Sequence, residues 1–217
     1  DNKMKAFVIT IKDHARSEAS ANRCIKSGLK NGITIEKFYA VTPKDKPKQM
    51  FKDKGYPLEN FTEEFSKSEN TTATFLSHLS LWQKSVDLNE NVVIFEHDAV
   101  VYDTVPAEVN FDGCMTFSKP SYGKWVQPMH IGPGPLVQKS YFGGAHGYVV
   151  SPSGAKKLIE KAKTNAGPAD IYLNINIFPW IQEYYPWACE ARDSFSTIQR
   201  ERGCLAKHNY NEAYEVI

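Results

Sequence analysis

Glu96, His97 and Asp98 follow directly on an unbroken apolar run, residues 91–95 (NVVIF), and charge placed there needs a physical reason. Such a run suits a central strand buried on both faces, and in open α/β sheets ligands bind beyond the carboxyl ends of the strands. If the backbone stays extended, Glu96 and Asp98 point to the same side. Hard divalent cations such as Mn²⁺ or Mg²⁺ take oxygen ligands, typically one or two carboxylates completed by substrate phosphates. Glu-x-Asp therefore reads as a place where a metal would neutralise charge on a departing diphosphate. Asp98 is the first expected ligand, Glu96 a second ligand or a ribose contact, and His97 a third. The competing reading is a polar strand end turning into solvent, with His97 solvent-facing or hydrogen-bonded.

Other residue types could join that chemistry. His146 lies in a small-residue segment, Gly143-Gly144-Ala145-His146-Gly147, where glycines let a ligand approach the backbone closely. It reads as a donor contact or metal ligand, or else as a satisfied core histidine. Ser77 and His78 occupy a strongly helical segment, where His78 could instead bridge helix and sheet. Arg192, Arg200 and Arg202 could pair with phosphates, although exposed arginines need no such explanation. His14, His130 and His208 have weaker claims. The sequence holds no GxGxxG fingerprint, no P-loop and no Ser-His-Asp or Cys-His spacing.

The elements that must position these residues are partly legible. Residues 5–12 (KAFVITIK) alternate as a strand, 18–30 have helical apolar spacing with Ser17 as N-cap and Gly32 as stop, and 34–41 form a second strand. This β-α-β opening implies parallel strands with a right-handed crossover. Residues 42–70 are polar, proline-punctuated and rich in lysine (Lys44, Lys46, Lys48, Lys52, Lys54), and read as a solvated loop or as one that contacts phosphate or acceptor. Residues 72–88 form the clearest helix, with Phe75, Leu76, Leu79, Trp82 and Val86 on one stripe and Trp82 a core residue. Short strands are expected at 113–117 and 145–150, and a helix at 153–163 capped by Ser151-Pro152. Residues 118–140, with four prolines and three glycines, read as an ordered surface excursion near a site. No internal repeat or linker divides the chain, so residues 1–217 are expected to form one domain, with Asp1, Asn2 and Lys3 a cloning remnant ahead of Met4.

Composition narrows the partners. A net charge of +1 gives no long-range attraction for nucleic acid or anionic lipid. Cys24, Cys114, Cys189 and Cys204 are too scattered for a zinc ribbon or a redox pair. With no signal peptide and no apolar run near the roughly 20 residues of a membrane span, the expected location is cytoplasmic, or the host cytoplasm for a phage or viral protein.

The stretch TFLSHLSLWQKSVDLNENVVIFEHDAVV, residues 74–101, resembles the signature of glycosyltransferase family 25, which includes lipopolysaccharide-biosynthesis enzymes and collagen galactosyltransferases. Ser77, His78 and Trp82 match its Ser-His helix with a following Trp, and Glu96-His97-Asp98 its Glu-Asp-Asp strand end, with His97 replacing the middle acid. GGAHGYVVSPSGAKKLIEKA, residues 143–162, is similar to its Gly-x-His-x-Tyr strand and Ser-x-x-Gly-Ala helix, and Pro168-Ala169-Asp170 to its Pro-x-Asp turn. Phe38-Tyr39-Ala40-Val41 and Ser196-Thr197-Ile198-Gln199 stand in compatible order. The resemblance implies a GT-A fold: a Rossmann-like, mixed, mostly parallel sheet flanked by helices. It implies an inverting, metal-dependent transfer from a nucleotide-sugar, UDP-sugar foremost. Ser77, His78, Glu96 and His146 would contact the donor, and Thr10 and Val41 would frame the base. Asp170 would be the general base, or a carboxylate that fixes a turn. The acceptor is a surface-glycan hydroxyl or a hydroxylated nucleobase in phage or viral DNA. The lack of a hydrophobic or basic docking segment and the acidic end (Glu212, Glu215) lean against a lipid-linked acceptor. The rival reading is a catalytically inactive sugar-nucleotide-binding module, to which His97 points.

Overall fold

A computed structural model describes residues 4–56, 69–106 and 108–192, together with the backbone of 195–196 and 215–216. The side chains of Ser196, Thr197, Ile198, Gln199, Arg200, Arg202, Cys204, His208, Glu212 and Glu215 lie outside the described residues, as do residues 1–3.

The chain opens with strand β1 (Met4–Thr10), helix α1 (Ala15–Lys30) and strand β2 (Glu36–Tyr39), the expected β-α-β unit with β1 and β2 parallel. α1 ends where Gly32 takes a left-handed φ of 84°, a turn that glycine adopts without steric cost. Its N-cap is His14, not Ser17: His14 Nδ1 accepts the Ser17 N–H at 3.2 Å. Ser17 lies inside the first turn, buried, because its hydroxyl faces the sheet and accepts the Ile11 N–H at 2.8 Å.

Part of the expected loop after β2 is helical. A 3₁₀ turn at Pro43–Asp45 leads into helix α2 (Pro47–Asp53), which carries a fully buried Phe51 against Phe75, with ring centroids 6.1 Å apart. Lys44, Lys46, Lys52 and Lys54 remain exposed, as a solvated face requires. Helix α3 (Glu69–Leu88) then delivers strand β3 (Asn91–Glu96), which turns tightly at His97-Asp98 into β4 (Ala99–Val101). After β5 (Cys114–Thr116) the excursion is not wholly irregular: Gly132–Pro135 form β6 at the edge of the sheet. β7 (Gly147–Val150), α4 (Pro152–Asn165), α5 (Ala169–Tyr172), β8 (Gln182–Tyr185) and β9 (Cys189–Ala191) follow.

Seven strands form one sheet in the order β2-β1-β3-β7-β5-β8-β6. β7 and β6 run against their neighbours, so the other five strands share one direction. Apolar residues alternate between two cores. Phe7, Val92, Ile94, Tyr148 and Val150 meet α2, α3 and α4 on one side. Ala6, Val8, Val93, Phe95 and Val149 meet α1 and the separate β4–β9 pair on the other. Coverage of both faces explains the unbroken run in β3, where Val92, Val93, Ile94 and Phe95 are all fully buried. α4 packs close to the sheet because Gly154 faces the backbone of Gly113, where a Cβ would collide with the Gly113 carbonyl. Among the described residues, no helix is long and apolar enough to cross a membrane.

Candidate active site

The polar groups gather where β3, β7, α3 and α5 meet, at the carboxyl end of β3. α3 brings His78 under the sheet with no exposure, and both imidazole nitrogens are engaged. Nδ1 lies 2.6 Å from the Tyr148 hydroxyl and Nε2 3.4 Å from Glu96 Oε2. The Trp82 indole N–H donates to the same Tyr148 oxygen at 3.0 Å. Indole only donates and a carboxylate only accepts, so the proton order is determined for a neutral imidazole. Trp82 donates to Tyr148, Tyr148 donates to His78 Nδ1, and His78 Nε2–H donates to Glu96. His78 thus reaches any ligand through Glu96, and Trp82, expected as core, is core with a polar task.

The two carboxylates of the cluster have opposite electrostatics. Burial alone would raise the Glu96 carboxyl, but the hydrogen bond from His78 and the surrounding imidazoles of His78, His146 and His97 outweigh it and hold the group below its ordinary range. Asp170, at the start of α5, is shifted the other way. Burial is the main cause, opposed by a hydrogen bond from the Tyr122 hydroxyl to Oδ2, reinforced by the charge on Glu96, and opposed again by backbone N–H groups of Ile171 and Asp170. Tyr122, buried itself, has its own hydroxyl pushed well up, so it stays a donor. Lys139 Nζ lies 5.1 Å from the Tyr122 ring centre and 4.7 Å from that of Tyr141, and donates to the Tyr122 carbonyl at 3.4 Å.

The remaining expected residues fall into two groups. Thr10, Val41 and Ser77 form a scaffold at the ends of β1 and β2: the Val41 N–H donates to Ser77 Oγ at 2.9 Å, Ser77 donates to the Ala73 carbonyl at 2.9 Å, and the Thr10 carbonyl accepts the Ala40 N–H at 2.9 Å. Thr10 Oγ1 is spent on the Val8 carbonyl at 3.1 Å. His146 is 1% exposed, with Nε2 3.0 Å from the Lys119 carbonyl, and its ring lies among the groups that favour an anionic Glu96.

The strand end differs from the extended geometry expected of it. The chain turns at His97-Asp98, so the pleat no longer fixes Glu96 and Asp98 on one side. Glu96 faces α3, whereas His97 Nδ1 pairs with Ser17 Oγ of α1 at 2.8 Å. The turn is held by the Arg192 N–H on the Asp98 carbonyl at 3.0 Å, and the Asp98 charge is felt by the Cys189 thiol. The Arg192 guanidinium, expected near phosphate, binds Glu190 at 2.6 Å. Among the described residues no three His, Cys, Asp or Glu side chains converge into a cage that could hold a metal by themselves. Such a donor set suits a hard cation only where substrate phosphates complete its shell.

Sequence reasoning gave no role to Tyr122, Tyr148 or Lys139, of which the first two bond directly to candidate residues. Tyr148 carried a signal, since its side chain alternates to the α3 face of a strand that enters the site, and Tyr122 sits in the excursion already suspected of lying near one.

A predominantly one-directional sheet with polar groups gathered at the carboxyl end of a central strand is an α/β architecture in which ligands bind beyond the strand ends. The chain belongs to glycosyltransferase family 25 (LPS biosynthesis protein), whose family model matches residues 3–130. The architecture is similar to that of mouse xyloside xylosyltransferase 1 in its apo form, at 9% identity and a TM-score of 0.45, covering 82% of this chain and 83% of that one. It is also similar to CTP:phosphocholine cytidylyltransferase from Streptococcus pneumoniae, at 10% identity and a TM-score of 0.38, covering 86% and 92%. A search of curated protein sequences gives no match.

Proposed function

We propose that this glycosyltransferase moves a sugar from a nucleotide-sugar, a UDP-sugar foremost, to an acceptor hydroxyl with inversion at the anomeric carbon. The observation that carries the reading is the split between Glu96, held ionised, and Asp170, raised and tied to Tyr122. Pairs of carboxylates whose environments push them apart mark acid–base assignments. Asp170 takes the acceptor proton as the acceptor oxygen bonds to the anomeric carbon. The bond from that carbon to the diphosphate breaks, and the nucleoside diphosphate leaves with the electron pair. Glu96, oriented by His78, binds donor hydroxyls. Thr10, Val41 and Ser77 shape the wall beside the nucleotide, and the His78 hydrogen bond keeps Glu96 anionic.

Asp98 and Glu96 are the residues that would hold Mn²⁺ or Mg²⁺ together with the donor phosphates. When bound, the cation would neutralise charge on the departing diphosphate. His97, bonded to Ser17, serves the turn and needs no place among the ligands. A glycan hydroxyl is the favoured acceptor, because the family that matches is described by lipopolysaccharide biosynthesis. A hydroxylated nucleobase has no support from the net charge of +1.

The test is thermal stability against UDP, GDP and CMP with and without Mn²⁺, followed by donor turnover. Ligand at about 100 times its Kd adds roughly 2.7 kcal/mol. A shift that needs one nucleotide together with metal supports the donor and metal assignments. Binding without turnover toward any acceptor would replace the enzyme reading with a donor-binding module, and no shift with any nucleotide would sink the donor site.

A further inference from the structure

The excursion between β5 and β7 ends in a surface that the transfer chemistry does not use. The Val126 N–H on the Gln138 carbonyl at 3.0 Å closes its neck, and between them the chain runs out over residues 127–131 and returns as β6 along the edge of the sheet. Of the eight large hydrophobic residues exposed among the described ones, four belong to this segment and its neck: Val126 at 59%, Met129 at 101%, Ile131 at 76% and Val137 at 53%. The other four are scattered over α1, β2, α3 and the end of β4, where single exposed apolar residues are ordinary. Residues 118–140 contain Lys119, Lys124 and Lys139 and no acidic residue. The nearby Glu183 of β8 is fully buried, its Oε1 spent on the Val137 and Gln138 N–H groups at 2.6 and 2.8 Å.

We propose that this segment, the outer turn together with the exposed face of β6, is a membrane-docking surface: Val126, Met129, Ile131 and Val137 insert at the interface of an anionic lipid bilayer, with Lys124 at its headgroups. Apolar tips beside lysines bind by buried apolar area plus attraction to anionic lipid. The charge pattern selects this occupant. A second copy meeting this surface face to face would bring lysines against lysines with no acid to answer them. A nucleic acid would need stacking faces, but the tip is aliphatic and Trp125 is packed edge-on against Trp187 at 5.4 Å. The base of the same excursion supplies Tyr122 to Asp170 and the Lys119 carbonyl to His146. Docking therefore holds the transfer site beside the bilayer, where an acceptor displayed on lipid would be met. The proposal departs from the sequence reading, which finds no hydrophobic or basic docking segment in a stretch whose prolines and glycines interrupt any helical period.

The inference does not depend on the assignment of Asp170, and its test uses no nucleotide. The full chain is floated with phosphatidylcholine vesicles with and without phosphatidylglycerol. Binding is expected to the anionic vesicles and to weaken with salt. Met129→Ser with Ile131→Ser should reduce it by about tenfold, and Lys124→Gln by about fivefold. Both changes lie on exposed side chains, so the unfolding temperature, measured alongside, should not move. No binding to anionic vesicles, or equal binding by the double variant, would overturn the proposal. Concentration-dependent dimerisation that the double variant abolishes, without vesicle binding, would reassign the surface to a second copy.

Discussion

Replacing Tyr148 with phenylalanine removes one oxygen and strands two buried nitrogens. Trp82 Nε1, 3.0 Å away, loses its acceptor, and His78 Nδ1, 2.6 Å away, loses its donor. All three side chains are fully buried, so water does not stand in. A buried polar group deprived of its partner costs about 1–3 kcal/mol. The ring still fills its site, which excludes a cavity contribution, and about 2–6 kcal/mol is expected for the pair. At about 2–4 °C per kcal/mol for a chain of this size, the unfolding temperature should fall by roughly 4–24 °C. Urea unfolding should show a lower midpoint with an unchanged slope. Donor affinity should fall as well, because His78 no longer holds Glu96 in one orientation. A double-mutant cycle with His78→Ala isolates the link: members of one hydrogen-bond network couple by about 0.5–3 kcal/mol, whereas independent sites add within about 0.5 kcal/mol. A loss below about 1 kcal/mol, or strict additivity, would refute the relay.

Further expectations address the chemistry and the packing. Asp170→Asn should lower kcat by roughly 10²–10⁴ while nucleotide binding persists; turnover close to that of the unaltered enzyme would remove Asp170 as the base. The Asp170 carboxyl is raised, so activity should be lost as pH falls through that raised value. Tyr122→Phe removes the hydrogen bond that opposes the rise, so the acid limb of kcat should move to higher pH, and an unmoved limb would count against the pairing. Gly154→Ala, which would favour a helix elsewhere by roughly 1 kcal/mol, should destabilise here by about 1–3 kcal/mol, since the new methyl meets the Gly113 backbone; urea midpoints decide the sign. Glu183 is raised chiefly by burial, against the Gln138 and Val137 N–H groups and the His130 charge, so its native state holds the proton more tightly than the unfolded chain. Its contribution is complete at low pH and is lost as pH rises through the folded value. Glu183→Gln should therefore match the parent near pH 4 and gain on it toward about pH 7, as paired unfolding curves would show.

The sequence by itself determined the elements whose signals are local. Helical spacing marked α3, an apolar run marked β3 with charge at its end, Gly32 stopped α1, and Ser151-Pro152 opened α4. Resemblance of residues 74–101, 143–162 and 168–170 to family 25 proposed Ser77, His78, Glu96, His146 and Asp170 as members of one candidate site. Only the tertiary structure shows what those residues contact. Tyr148 reaches His78 across 70 positions and Tyr122 reaches Asp170 across 48, contacts that exist because β7 runs antiparallel between β3 and β5. Strand order is a property of the whole chain's packing and leaves no period in any segment. The turn at His97-Asp98 is likewise set by the β4–β9 pairing and by the Arg192 N–H, neither of which is near in sequence. Periodicity reports which face of an element is buried; the partner that face meets is chosen by long-range pairing, and there the ionisation and orientation of each site residue are settled.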